Sequence, residues 1–159
     1  MREGHSLARL TVASAAAVTV PVAIAAMLVV PSVDADARLN AAILVALFGL
    51  PISFLHFVLL GLPAYAVLSR RWPLTAWAAA AGGFAVAAIP MPLLSLASPG
   101  FETYRQGQVM LIEDGRYTMA GYLSLLGQAG STGLIGAMAG IAFWAVLAMK
   151  KGGPLPGRP

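Results

Sequence analysis

The sequence predicts an all-α, polytopic membrane protein: a bundle of four transmembrane helices with a short outer loop between helices 3 and 4. Three observations predict it. Of the 159 residues, 59% are hydrophobic and 10% charged, where a soluble globular domain has roughly 45–50% and about 25%. Mean hydropathy is +0.82. Four runs, residues 10–33, 39–69, 72–101 and 117–149, hold no Asp, Glu, Lys or Arg, and each exceeds the roughly 20 residues with which a helix crosses the hydrocarbon of a bilayer. None alternates apolar and polar positions as a barrel strand does, so helices are left to satisfy the backbone in lipid. Six acidic and ten basic side chains are too few to coat a soluble domain of this mass, which excludes a soluble enzyme. The net charge of +4 comes from segment ends and forms no basic stripe, which excludes a nucleic-acid binder. With no cysteine there is no disulfide framework, thiolate metal site or quinone-linked thiol chemistry.

Helix 1 is expected over residues 8–31. Arg2 and Arg9 followed by an apolar stretch resemble a secretory signal, with Ala35-Asp36-Ala37 as its cleavage site. Residues 10–30 nevertheless outrun the roughly 7–15 residues of a signal's apolar region, so an uncleaved signal anchor is expected. A short connector follows. Helix 2, over residues 40–69, belongs to a run about 46 Å long at helical rise, more than the hydrocarbon needs, so it tilts, kinks or enters the interface. Its repeated Gly49-Leu50-Pro51 and Gly61-Leu62-Pro63 predict a bent packing helix, as do Pro21 in helix 1 and Pro90 and Pro92 in helix 3, residues 73–97. In the loop, Val109–Ile112 leads into Glu113-Asp114-Gly115-Arg116, which fits a tight hairpin and an irregular interfacial loop equally. Helix 4 is expected over residues 118–149. Residues 1–151 then form one transmembrane domain, and residues 152–159 (GGPLPGRP) a disordered cytoplasmic tail.

The distribution of Lys and Arg sets the orientation. Arg2, Arg9, Arg70, Arg71, Lys150, Lys151 and Arg158 fall on one side, and Arg38, Arg105 and Arg116 on the other with Asp34, Asp36, Glu102, Glu113 and Asp114. Both termini are therefore expected in the cytoplasm, with Trp72, Trp77 and Trp144 at the inner interface and Tyr117 and Tyr122 at the outer one.

No ionisable Asp, Glu, Lys or Arg lies inside a span, which argues against proton-coupled transport and intramembrane hydrolysis. Helix 1 lacks the carboxylate of small multidrug exporters, and Asp34, Asp36 and Asp114 lack the motif context of lipoprotein signal peptidases. His56 is the one titratable side chain, tyrosine apart, at membrane depth, expected in the outer half and level with Ile135 and Gly136. Gly49, Ser53 and His56 share a helix face, and a hydrogen bond from His56 to Gln128, Ser131 or Thr132 is within reach. A haem ligand, a proton relay and a quinone contact are the functional readings. Haem in a bundle wants a second histidine, and His5 lies in the tail, so a satisfied structural histidine is preferred. Gly130-Ser131-Thr132-Gly133 fails the Gly-x-Ser-x-Gly pattern of intramembrane proteases. Gly133, Gly136 and Gly140 make a small-residue face that lets another helix backbone approach, inside this bundle or in another chain. At the outer surface, Tyr104, Arg105, Glu113, Asp114 and Arg116 are the candidate contact residues.

Gly61-Leu62-Pro63-Ala64-Tyr65, Arg70-Arg71, a glycine in mid helix 3, and Gly136 to Gly140 followed by Phe143-Trp144 resemble a loose group of small, uncharacterised four-helix bacterial inner-membrane proteins. The resemblance implies a bacterial origin and no activity. The leading functional expectation is a non-catalytic protein that acts by association, as an accessory, assembly or scaffolding subunit. Its partners are the lipid bilayer and a membrane protein or a second copy, with no nucleic acid and no cofactor. A transporter or channel component, and a redox or enzyme protein using His56, are the alternatives.

Overall fold

A computed structural model describes residues 7–71, 75–97 and 103–149. The positions of Arg2, His5, Trp72, Glu102, Lys150, Lys151 and Arg158, and the expected disorder of residues 152–159, lie outside the described residues. The chain runs through α1 (Leu7–Val29), two single 3-10 turns (Val30–Ser32 and Ala35–Ala37), α2 (Arg38–His56), a π turn (Phe57–Gly61), α3 (Leu62–Arg71), α4 (Ala76–Ala88) and α5 (Pro90–Ala97). Strands β1 (Tyr104–Gln106), β2 (Val109–Glu113) and β3 (Arg116–Tyr117) precede α6 (Met119–Ala148). Read continuously, four helical segments are long and apolar enough to cross a membrane: Leu7–Ser32, Ala35–Arg70, Ala76–Ala97 and Met119–Ala148.

Prolines shape two of these segments. Pro21 and Pro51 sit within α1 and α2 without ending them. Pro63 has no N–H, so the carbonyl four residues before it loses its usual donor. The chain answers with a wider turn just ahead of it, in which the Leu62 N–H reaches back to the Phe57 carbonyl. The repeated Gly-Leu-Pro motif thus has two outcomes: regular α-helix at the first copy, a π turn at the second. In the third segment α4 gives way to α5 at Ile89, directly before Pro90. Threonines set two helix starts. The Thr75 hydroxyl accepts from the Ala78 N–H, and the Thr118 hydroxyl from the Gly121 N–H.

The tightest pairing joins α4 and α6. A Cβ added at Gly136 would run into the Gly83 carbonyl and the Ala87 methyl, one at Gly140 into the Ala79 carbonyl, and one at Gly133 into the Phe84 ring. On its other side α6 meets α1 around Ala13, Ala17, Phe143 and Leu147. The backbone of α2 comes close to that of α1 but, among the described residues, to neither α4 nor α6. No residue of α2 is buried.

The class all-α is too narrow. The segment before α6 is a three-stranded antiparallel sheet, ordered β1-β2-β3. Asp114 and Gly115 have φ of 49° and 71°, the pair of positive values that a two-residue type I′ hairpin requires. Tyr104 and Tyr117 both pair with Ile112, and Glu113 pairs with Arg116. Leu111 and Ile112 are buried. The sheet is tied to the bundle by the Thr118 N–H to Leu111 O at 3.0 Å, by the Thr118 hydroxyl, shared between Met110 O at 2.7 Å and Leu111 O at 3.3 Å, and by the Tyr117 hydroxyl to Ser95 O on α5 at 3.3 Å. A sheet of this size lacks an apolar face large enough to stand alone; docking on α5 and α6 supplies what it lacks.

Candidate functional site

Where α2 stands away from α4 and α6, the bundle holds an open-sided cavity of about 330 Å³, within the size range of small-molecule sites. Its wall is almost entirely apolar. Small residues from the third segment (Ala78, Ala79, Gly82, Gly83) and from α6 (Gly136, Ala139, Gly140) make one side, and Ser53, His56, Tyr65 and Thr132 bring the polar atoms. Three rings gather at one end: Phe57 and Tyr65 stand 5.8 Å and 5.2 Å from Phe143 between centroids, the second pair edge-on at 75°. Side chains therefore bridge a gap that the backbones of α3 and α6 leave open.

His56 occupies the position from which the second and third segments are joined. Its Nε2 lies 3.1 Å from the backbone oxygen of Val86. A carbonyl only accepts, so Nε2 carries the hydrogen and donates. The choice of Val86 has a local cause. In an α-helix the Val86 carbonyl would accept from residue 90, which is proline and has no N–H. His56 fills the vacancy from the neighbouring segment. In the neutral ring Nδ1 is then the lone-pair nitrogen, an acceptor.

The expected bond from His56 to Gln128, Ser131 or Thr132 is not made. Both hydroxyls turn back on their own helix: Ser131 donates to Gln128 O at 3.0 Å, and Thr132 to the same oxygen at 2.8 Å. A carbonyl one turn back is a nearer acceptor than a group across the bundle. Along the second segment His56 stands 18 residues from Arg38 and 14 from Arg70. Ser53, His56 and Thr132 share the main cavity, whereas Gln128 and Ser131 line, again with Thr132, a second cavity of about 140 Å³ beside Pro92 and Ser95.

Gly133, Gly136 and Gly140 face α4 of the same chain. Tyr104, Arg105, Glu113, Asp114 and Arg116 are all exposed on the sheet. Of these the ladder brings Glu113 and Arg116 opposite each other, sets Tyr104 and Arg105 on the first strand, and puts Asp114 in the turn. Among the described residues no group of three His, Asp or Glu side chains is close enough to hold a metal ion. The sequence reading missed Tyr65 as a cavity residue and Pro90 as the reason for the His56 contact. The spacing of Pro90 four residues after Val86 was the available signal. No protein-family model matches the chain, and neither a curated protein nor a solved structure matches it.

Proposed function

We propose that the chain is an integral protein of the bacterial inner membrane whose four long helices cross the bilayer with both termini in the cytoplasm. It acts by association, as an accessory, assembly or scaffolding subunit without catalysis of its own. The observation that carries this reading is the second segment. None of the residues of α2 is buried, and Leu39, Ile43, Leu47, Phe48, Ile52 and Phe54 each expose more than half of their surface. In water such a face is untenable; in a bilayer it meets lipid or another transmembrane helix. The other three segments already close on one another through α6.

Two experiments test it. A phosphatase fused after Gly107 should be active and one fused after Lys151 silent; the reverse would discard the orientation, and activity at both the helix count. Affinity purification in mild detergent with mass spectrometry should recover a stoichiometric membrane protein or a second copy. Cross-linking through Leu47→Cys, in a chain with no other cysteine, should trap it. A monomer with no companion under several gentle conditions would overturn association.

A transporter or channel component is favoured by one other feature: the two cavities both reach Thr132, so they succeed one another along α6. Labelling of Ser53→Cys and Gln128→Cys by a water-soluble maleimide would mark an aqueous path, and protection of both would exclude one.

A further inference from the structure

We infer that the main cavity binds an uncharged lipid-like molecule that ends in a hydroxyl group, an alkyl or prenyl alcohol, with its chain against the apolar wall. The inference rests on the chain being embedded in a bilayer. The first argument is charge. Among the described residues no Asp, Glu, Lys or Arg lines the cavity, so a carboxylate, phosphate or ammonium head there would lack a counter-charge from them.

The second argument is hydrogen-bond polarity. His56, one of the residues that line the cavity, donates through Nε2 to Val86 O, which leaves Nδ1 as its acceptor. Ser53 and Tyr65 also line the cavity, and each hydroxyl is free to donate; among the described residues neither is hydrogen-bonded. The residues that line the cavity thus carry one acceptor and two donors. A pure hydrocarbon uses none of them. A ketone or quinone carbonyl accepts from the hydroxyls and has nothing to give Nδ1. An alcohol donates to Nδ1 and accepts from Ser53 or Tyr65, so it satisfies both. The third argument is access. Ahead of His56 the backbone of α2 stays close to α1 and away from α4, so a chain lying in the surrounding lipid reaches the cavity sideways between the two helices.

The test uses the full-length protein reconstituted in phosphatidylcholine vesicles and three photoactivatable probes of equal chain length, each with a mid-chain diazirine: a hexadecyl alcohol, a hexadecyl methyl ether and a hexadecane. Cross-linked residues are mapped by mass spectrometry. The alcohol should label cavity residues about fivefold more than the hydrocarbon, as one or two net hydrogen bonds would give, and the ether should fall between them. Tyr65→Phe keeps the ring on Phe143 and, combined with Ser53→Ala, should bring the alcohol down to the hydrocarbon level. Ser53→Leu, on a helix with no buried residue, should abolish cavity labelling by all three. Equal labelling by the three probes, or alcohol labelling unchanged in the double variant, overturns the inference. Carbonate extraction of the same membranes separates the failures: a protein that stays in the membrane but does not prefer the alcohol refutes the ligand alone, and one that is extracted refutes the membrane reading.

Discussion

Replacing Gly136 by alanine adds one carbon where the seam between α4 and α6 has no room. The new Cβ would meet the Gly83 carbonyl and the Ala87 Cβ, neither of which is the mobile end of a side chain. The two helices must separate along the line on which Gly140 also approaches Ala79. Overpacking a tight site costs about 1–3 kcal/mol, and a backbone obstacle belongs at the upper end, about 2–3 kcal/mol. Glycine-to-alanine exchange also raises intrinsic helix preference, by about 1 kcal/mol in water. Gly127 is the control, since it lies in the same helix and a Cβ there meets nothing within 4 Å. The preference term then cancels between Gly136→Ala and Gly127→Ala, and the packing penalty remains. At roughly 2–4 °C per kcal/mol for a chain of this size, Gly136→Ala should unfold about 4–12 °C below Gly127→Ala in one detergent, read by thermal aggregation or circular dichroism. Equal melting of the two would refute the close seam.

Three further outcomes follow from particular contacts. His56→Leu should destabilise by about 1–2 kcal/mol because Val86 O is left without a donor; in a Pro90→Ala background the restored N–H at position 90 should recover about 1 kcal/mol, and a double-mutant cycle with no coupling would refute the pairing. Gly115→Val forces a β-branched residue to a φ of 71°, so the hairpin of the purified protein in detergent should become cleavable by added protease while the wild type resists. His56→Gln should preserve folding, and the purified wild type should show no Soret band; a haem spectrum lost in His56→Ala would promote the redox alternative.

The sequence by itself determined the long segments. Charge-free runs of more than about 20 residues leave an isolated chain few choices in lipid, because each backbone polar group has to be paired within its own segment. That constraint is local, and so the four helices and their approximate ends were legible. The glycine face of α6 was legible as a face; which helix it meets was not, since the same spacing serves a neighbour in the bundle and one in another chain. The hairpin turn was written in Asp114-Gly115, but the sheet depended on Thr118 and Tyr117 reaching Met110 and Ser95. The second of these joins residues 22 apart along the chain.

Only the tertiary structure decided the cavity and the partner of His56. From the sequence, His56 had hydroxyls and an amide within reach on helix 4, and nothing in the residue types ranked them. The folded chain turned Ser131 and Thr132 onto Gln128 O and brought up a carbonyl that Pro90 had stripped of its donor. A proline's cost is local and readable from sequence; which side chain from another segment repairs it is set by how that segment packs beside α4, a property of packing among helices that no single segment encodes.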